Sequence, residues 1–170
     1  MNTKDIVVVG LLSAILMSAQ IILSFLPNIE IVSLLILIFA IKLGTRKTVC
    51  ITLLYSALNV LIWGLNLSTI GYFFVWSGYA VICSKCKRFI NKDITAAIFL
   101  GLFGLIFGAL FAILYLPMGF SFAFSYWING LMFDLIHCIS NFIICIWAFS
   151  PLLSGFDKAM KTTYKRSYYI

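Results

Sequence analysis

Charge is the scarcest ingredient of this 170-residue chain. Only 10% of its residues are charged, five are acidic, and there is a single histidine. One histidine supplies neither paired axial haem ligands nor a His-rich metal site within one chain, so no metal or cofactor is expected. No glycine-rich phosphate loop or nucleotide fingerprint occurs, so the chain has no means of using ATP by itself. The five cysteines are scattered, mostly inside apolar runs, where they act as small hydrophobes. An odd count gives no disulfide framework, and Cys83-Ser-Lys-Cys86 lacks the second pair that a zinc or redox site needs. Asp134, His137 and Ser121 or Ser125 do not have the spacing of a hydrolytic triad. Neither a ring of charge nor a filter-like run suggests a channel. The balance of these absences is against an enzyme.

What is present is apolar. Hydrophobic residues make up 64% of the chain, and mean hydropathy is +1.13, against about 45–50% apolar residues in globular domains. The apolar runs are continuous rather than alternating, which excludes a membrane barrel and points to helices. The fold class expected is therefore an all-α integral membrane protein. Six transmembrane helices are expected, over 6–26, 30–43, 48–65, 69–83, 94–116 and 126–149. The first run is full-length and has no small-residue cleavage site after it, so it reads as a span rather than a signal peptide. Pro27-Asn28, Gly44, Asn66 and the lysine-rich stretch from Lys85 separate the early spans. An uncharged aromatic loop, 117–125, leads into the sixth, and Pro151 is expected to end it. Residues 1–150 thus form one transmembrane domain. Residues 151–170 form a basic tail, in which Phe156, Met160 and Tyr164 recur at helical spacing and suit a short helix at the membrane interface beside anionic lipid; the alternative is a partly ordered tail whose basic residues only enforce topology.

The positive charge has a side. All twelve basic residues fall before the first span, in the 42–47 turn, in the 85–92 loop or in the tail. With six spans these places share one face of the membrane, whereas an odd number would scatter them. The positive-inside rule then makes both termini cytoplasmic in a multi-pass protein of the cell membrane. The net charge of +7 is a topology signal and does not call for nucleic acid.

Two acidic residues escape the basic loops. Glu30 opens the second span and, with Asn28, is expected at the mouth of an outward-facing pocket. Asp134 lies nine residues into the sixth span, roughly 13 Å down at about 1.5 Å per residue. A charge there costs about 2.5–3.5 kcal/mol on insertion scales, so a partner helix or a bound molecule has to offset it. At 3.6 residues per turn Asp134, His137 and Asn141 share a face with Trp127. Trp76 and Trp63 fall in the same outer half. Together they suggest a small-molecule pocket with aromatic walls and few polar anchors, in which Asp134 and His137 hold the ligand and Asn141 orients them. The alternatives are an interfacial aromatic belt and polar residues serving only as interhelical glue. Elsewhere Gly10, Ala14 and Ser18 form a small-residue face on the first span, fit for close approach of another helix, within the bundle or from a second protein. Gly101, Gly104, Gly108 and Ala112 form a similar run on the fifth, where internal packing is expected.

Six spans, a chain of this length, the small-residue face on the first span and the missing ATPase motif resemble the substrate-binding S components of energy-coupling factor transporters. The likeness extends to Leu26-Pro-Asn-Ile-Glu30, to Gly101-Leu-Phe-Gly-Leu-Ile-Phe-Gly108 and to Phe133-Asp-Leu-Ile-His-Cys-Ile-Ser-Asn141. The resemblance implies high-affinity binding of a vitamin-like nutrient on the outer side. It also implies docking through the first span on a membrane T component that two ATPase subunits drive. The family's Ala-x-x-x-Ala docking pattern maps to Ala14 and Ser18. The first outer loop is shorter here than in better-known members, which leaves 117–125 as the expected lid. The rival readings are a structural or regulatory membrane protein and a small membrane enzyme acting on a lipid or prenyl substrate.

Overall fold

The computed structural model describes residues 1–90 and 92–165, with side chains as far as Lys161. The side chain of Tyr164 and the residues from Arg166 onward, part of the expected tail, lie outside them. The chain folds into six α-helices: α1 (Thr3–Leu23), α2 (Val32–Leu43), α3 (Thr45–Trp63), α4 (Leu67–Cys86), α5 (Asp93–Ala112) and α6 (Phe120–Lys165). A 3-10 turn, Ile113–Met118, prolongs α5. No strand occurs among the described residues.

Four stretches are long and apolar enough to cross a membrane: α1, α4, α5 with its 3-10 extension, and α6. The other two helices depart from that pattern for different reasons. α2 has 12 residues, about 18 Å of helix, and is shorter than a hydrocarbon core of about 30 Å. It is also the most enclosed element, with Val32 to Leu34 and Ile36 to Ala40 all buried. α3 is long enough but too polar. Thr48, Thr52, Ser56 and Asn59 follow one another at helical spacing along an inward face, and all are fully buried. Each returns a hydrogen bond to the backbone of its own helix, to Gly44, Val49, Thr52 and Tyr55 carbonyls respectively. The helix thereby pairs its hydroxyls and the Asn59 amide nitrogen with its own carbonyls, as an apolar surrounding favours, while Asn59 Oδ1 has no partner among the described residues.

Local sequence explains the helix ends. Asn2 caps α1 and Asn66 caps α4, each accepting from the backbone three residues on, while Asp5 and Thr69 reach back to the cap backbone. Between the 3-10 turn and α6 stands Gly119 alone, at φ +112°, a conformation that glycine adopts without steric cost. The expected aromatic loop 117–125 is therefore a one-residue hinge. Phe120, Phe122 and Phe124 belong to α6, and no lid of that length exists. Pro151 does not end α6 either. A proline inside a helix sacrifices one hydrogen bond and costs about 3 kcal/mol. Here Leu152, Leu153 and Phe156 pack against the core just beyond it, Phe39 lies 5.6 Å from Phe156 ring to ring, and Lys42 pairs with Asp157 at 2.6 Å. The start of the expected tail is thus a packed continuation of α6, which runs for 46 residues.

The bundle has two groups. α3 packs along α1 and α4, α5 packs along α6, and α2 lies between the groups against α3, α4 and α6. The α5–α6 contact is close because α5 presents glycines, as its sequence suggests. A Cβ on Gly104 would come within 2.8 Å of the backbone at His137 and Cys138. At one end of the bundle lie the ionic contacts, Lys42–Asp157 and Lys47–Asp5, with Ser150 donating to Asp93 at 2.5 Å. Among the described residues the opposite end carries no basic residue.

Candidate functional site

The site forms at the end that lacks basic residues. There α2 starts late, and the connector 24–31 crosses the bundle in its place. Asn28 in that connector adopts φ +56°, the left-handed conformation that asparagine tolerates better than most residues. Two contacts tie the connector to α6. Ser140 Oγ donates to the Asn28 carbonyl at 2.9 Å. His137 Nε2 lies 3.1 Å from Glu30 Oε1, while Glu30 Oε2 accepts from the Ser33 amide at 2.8 Å. Glu30 is thus drawn down into the bundle as a partner of His137, not left at the mouth as expected. The cause is the late start of α2, which lets the connector descend before the helix begins.

Two adjoining cavities open around this connector. The larger, about 550 Å³, is lined by Asn28, Ser68, Tyr72, Phe107, Gly108, Phe111, Tyr126, Asn129, Gly130, Phe133 and Asp134. The smaller, about 240 Å³, lies over Gln20, Glu30, Tyr55, Trp76 and His137. Asn28, Tyr72 and Phe107 line both, so the two are compartments of one region. Volumes of several hundred Å³, aromatic walls and few polar groups are the ordinary features of a small-molecule site.

Asp134 is 4% exposed and His137 3%. Asp134 Oδ1 accepts the Gly108 backbone N–H at 2.8 Å. A backbone amide in mid-helix is free for this only if the approaching carboxyl group meets no side chain, and Gly108 provides that opening. A Cβ there would lie 2.5 Å from Asp134 Oδ2. Asp134 Oδ2, His137 Nδ1 and Trp76 Nε1 are buried and have no hydrogen-bond partner among the described residues. Buried polar groups are normally paired, so three such atoms bordering one region are notable. Trp76 is the hub of the aromatic wall, with Tyr55, Tyr72, Tyr79, Phe103 and Phe107 all within 6.3 Å ring to ring. Phe107 in turn meets the His137 ring edge-on at 4.9 Å.

The other expected residues are placed differently. Trp127 faces a separate apolar hollow with Ala109, Ala112 and Phe120 and borders neither of the two cavities. Asn141 is buried but donates to the Leu100 carbonyl at 3.4 Å, linking α6 to α5 away from the cavities. The reason is angular. With a step of about 100° per residue, Trp127, Asp134 and Asn141 do share one stripe, but that stripe faces α5, and the cavity strip through Tyr126, Gly130 and His137 is turned by about 60°. Asp134 lies where the two strips meet. Trp63, the last residue of α3, is 50% exposed and lines neither cavity. Sequence reasoning missed Gln20, whose Oε1 accepts from Tyr55 Oη at 2.6 Å, and Phe107, Asn129 and Gly130, whereas Tyr72 belongs to the aromatic group of the outer half of α4 that the sequence offers as a wall. For Asn129 and Gly130 a signal existed: they are the polar and small positions one turn before Phe133-Asp134.

On α1, Ala14 and Ser18 are exposed and Gly10 is half-buried, with nothing within 4 Å of the place a Gly10 Cβ would occupy. Ile6, Val7, Leu11, Ile15 and Ile22 beside them are exposed as well. The small-residue face therefore points out of the bundle and serves no internal packing. No protein-family model matches this chain, and neither does any curated protein or solved structure.

Proposed function

We propose that this protein is the substrate-binding subunit of an energy-coupling factor type transporter, capturing a small vitamin-like nutrient and delivering it to a membrane T component driven by ATPase subunits. In this reading all six helices lie in the membrane, both termini are cytoplasmic, and the cavities open outward, since the basic residues gather at the opposite end. The short α2 is accommodated because its neighbours enclose it.

The observation that carries the reading is the paired cavity itself. A helical membrane bundle of this size has placed a carboxyl group, an imidazole and an indole N–H around one region, each with a polar atom left unpaired, and ionisable residues in such surroundings mark sites of function by default. The outward small-residue face of α1 gives the T component a surface for close helix contact. The decisive experiment is purification of the chain alone in mild detergent, followed by mass spectrometry of small molecules released on denaturation. A stoichiometric nutrient-like compound, lost from His137→Ala protein that is still folded, supports the proposal.

A second reading has its own observation. His137 and Asp134 each already have one partner inside the chain, Glu30 and Gly108, as in a structural or regulatory membrane protein whose polar residues only hold helices together. In that case the purified chain carries no ligand, and His137→Ala lowers stability and nothing else.

A further inference from the structure

We infer that the paired cavities take a small organic cation, an aromatic ring bearing a positive charge, with Asp134 facing the charge and the rings of Tyr72 and Phe107 facing the ligand's own. The inference rests on the small-molecule reading above and narrows it to a chemical class.

Neither cavity is lined by a lysine or an arginine. Of the side chains that do line them, His137 alone is able to carry positive charge, and Glu30 stands against it at 3.1 Å. Asp134 is left over. One of its oxygens accepts a single backbone N–H, the other has no partner among the described residues, and the group is 4% exposed. An anionic ligand is recognised through charged or forked donors such as Arg and Lys, and the region offers none. A neutral donor can hydrogen-bond the free oxygen but leaves the charge of the carboxylate uncompensated in apolar surroundings, at the cost set out above. A cation satisfies it.

Two further features decide what kind of cation. The larger cavity, at about 550 Å³, is far roomier than a bare ion requires, and the described residues contain no group of three His, Cys, Asp or Glu side chains fit to hold a metal. Tyr72 and Phe107 border both compartments, and aromatic faces attract organic cations, more strongly when water is excluded. A charged ring system spanning the two compartments uses the carboxyl group and the aromatic wall together.

The test uses the full chain in detergent and three probes with the same ring and different charge: benzylammonium, benzyl alcohol and benzoate. Affinities are read by ligand-observed NMR titration. Benzylammonium should bind at least tenfold more tightly than benzyl alcohol, and benzoate should be weakest. In Asp134→Asn the cation should lose at least tenfold, and its advantage over benzyl alcohol should disappear. Equal or tighter binding of the alcohol or of benzoate to the natural chain overturns the cation inference and leaves the small-molecule site standing. Binding of none of the three overturns the cation inference, and mass spectrometry of the purified chain then decides the small-molecule reading separately. Because the charge series on the natural chain is decisive alone, the inference stays testable even if Asp134→Asn fails to fold, which size-exclusion chromatography reports.

Discussion

Replacing Gly108 by alanine tests the geometry of the site with a single methyl group. In an ordinary helix interior this change stabilises, by about 1 kcal/mol, because alanine loses less backbone entropy than glycine. At Gly108 the new Cβ would lie 2.5 Å and 2.7 Å from the two carboxyl oxygens of Asp134 and 2.9 Å from its Cγ. All three distances are below any normal contact, so the side chain of Asp134 has to turn away. It cannot retreat far, since α6 is packed along α5 by the neighbouring glycines, Gly101 and Gly104. Overpacking of this kind costs about 1–3 kcal/mol. The hydrogen bond from the Gly108 amide is lost with it, and interhelical bonds in membrane proteins average about 0.6 kcal/mol, reaching about 1.7. After subtracting the helix-propensity gain, the net loss is about 1–3 kcal/mol. Gly10→Ala in α1 is the matched control, because nothing lies within 4 Å of its new methyl group, and it should be neutral or gain up to about 1 kcal/mol. Reversible unfolding by SDS titration in mixed micelles measures both. If Gly108→Ala is as harmless as Gly10→Ala, Asp134 does not lie against α5 as described, and the account of how its buried carboxyl group is held is wrong.

Two other outcomes follow from separate features. Glu30→Gln, His137→Ala and the double variant should give a coupling of about 0.5–3 kcal/mol in the same titration, as expected for residues in direct contact, and a coupling of zero would show that the connector 24–31 is not tied to α6 through this pair. Ala14→Leu or Ser18→Leu places bulk on an exposed face of α1, so stability should hold, and under the proposed docking of this face on a T component nutrient uptake by cells carrying the proposed partners should fall at least tenfold with ligand affinity retained. Equal loss of stability and uptake would mean that this face packs inside the molecule.

Much of the helical layout was legible because it depends on continuous apolar length and on where the charges stop. The spans expected from hydropathy fall within a few residues of α1 to α5, and the glycines of α5 declared a close helix partner. The failures have identifiable causes. Glu30 was expected near the surface because a span was begun at it, whereas α2 starts at Val32 and the connector reaches inward. The stretch 117–125 was expected to be an uncharged aromatic loop, but aromatic and apolar residues on either side of the single Gly119 continue as helix. Pro151 is a helix breaker by local rules, and tertiary contacts of Phe156 and Asp157 outweigh it. Trp127 and Asn141 share the helix stripe of Asp134, and a helical wheel does not say which neighbour a stripe faces. The polar stripe of α3 repeats at helical spacing, from Thr48 to Asn59, and was open to the same periodicity argument.

One consequence of α6 concerns leverage. Asp134 and His137 sit on the same unbroken rod as Lys158 and Lys161, and the 27 residues from Asp134 to Lys161 span about 40 Å. A tilt of about 10° pivoting at Asp134 swings the far end sideways by about 7 Å, at the rise of about 1.5 Å per residue. Movement too small to reshape the cavities is thus magnified where the basic residues lie. Beyond Pro151, the position where a missing backbone hydrogen bond makes the rod most easily bent, the arm is tied to α2 by the packing of Phe156 on Phe39 and by the Lys42–Asp157 bridge.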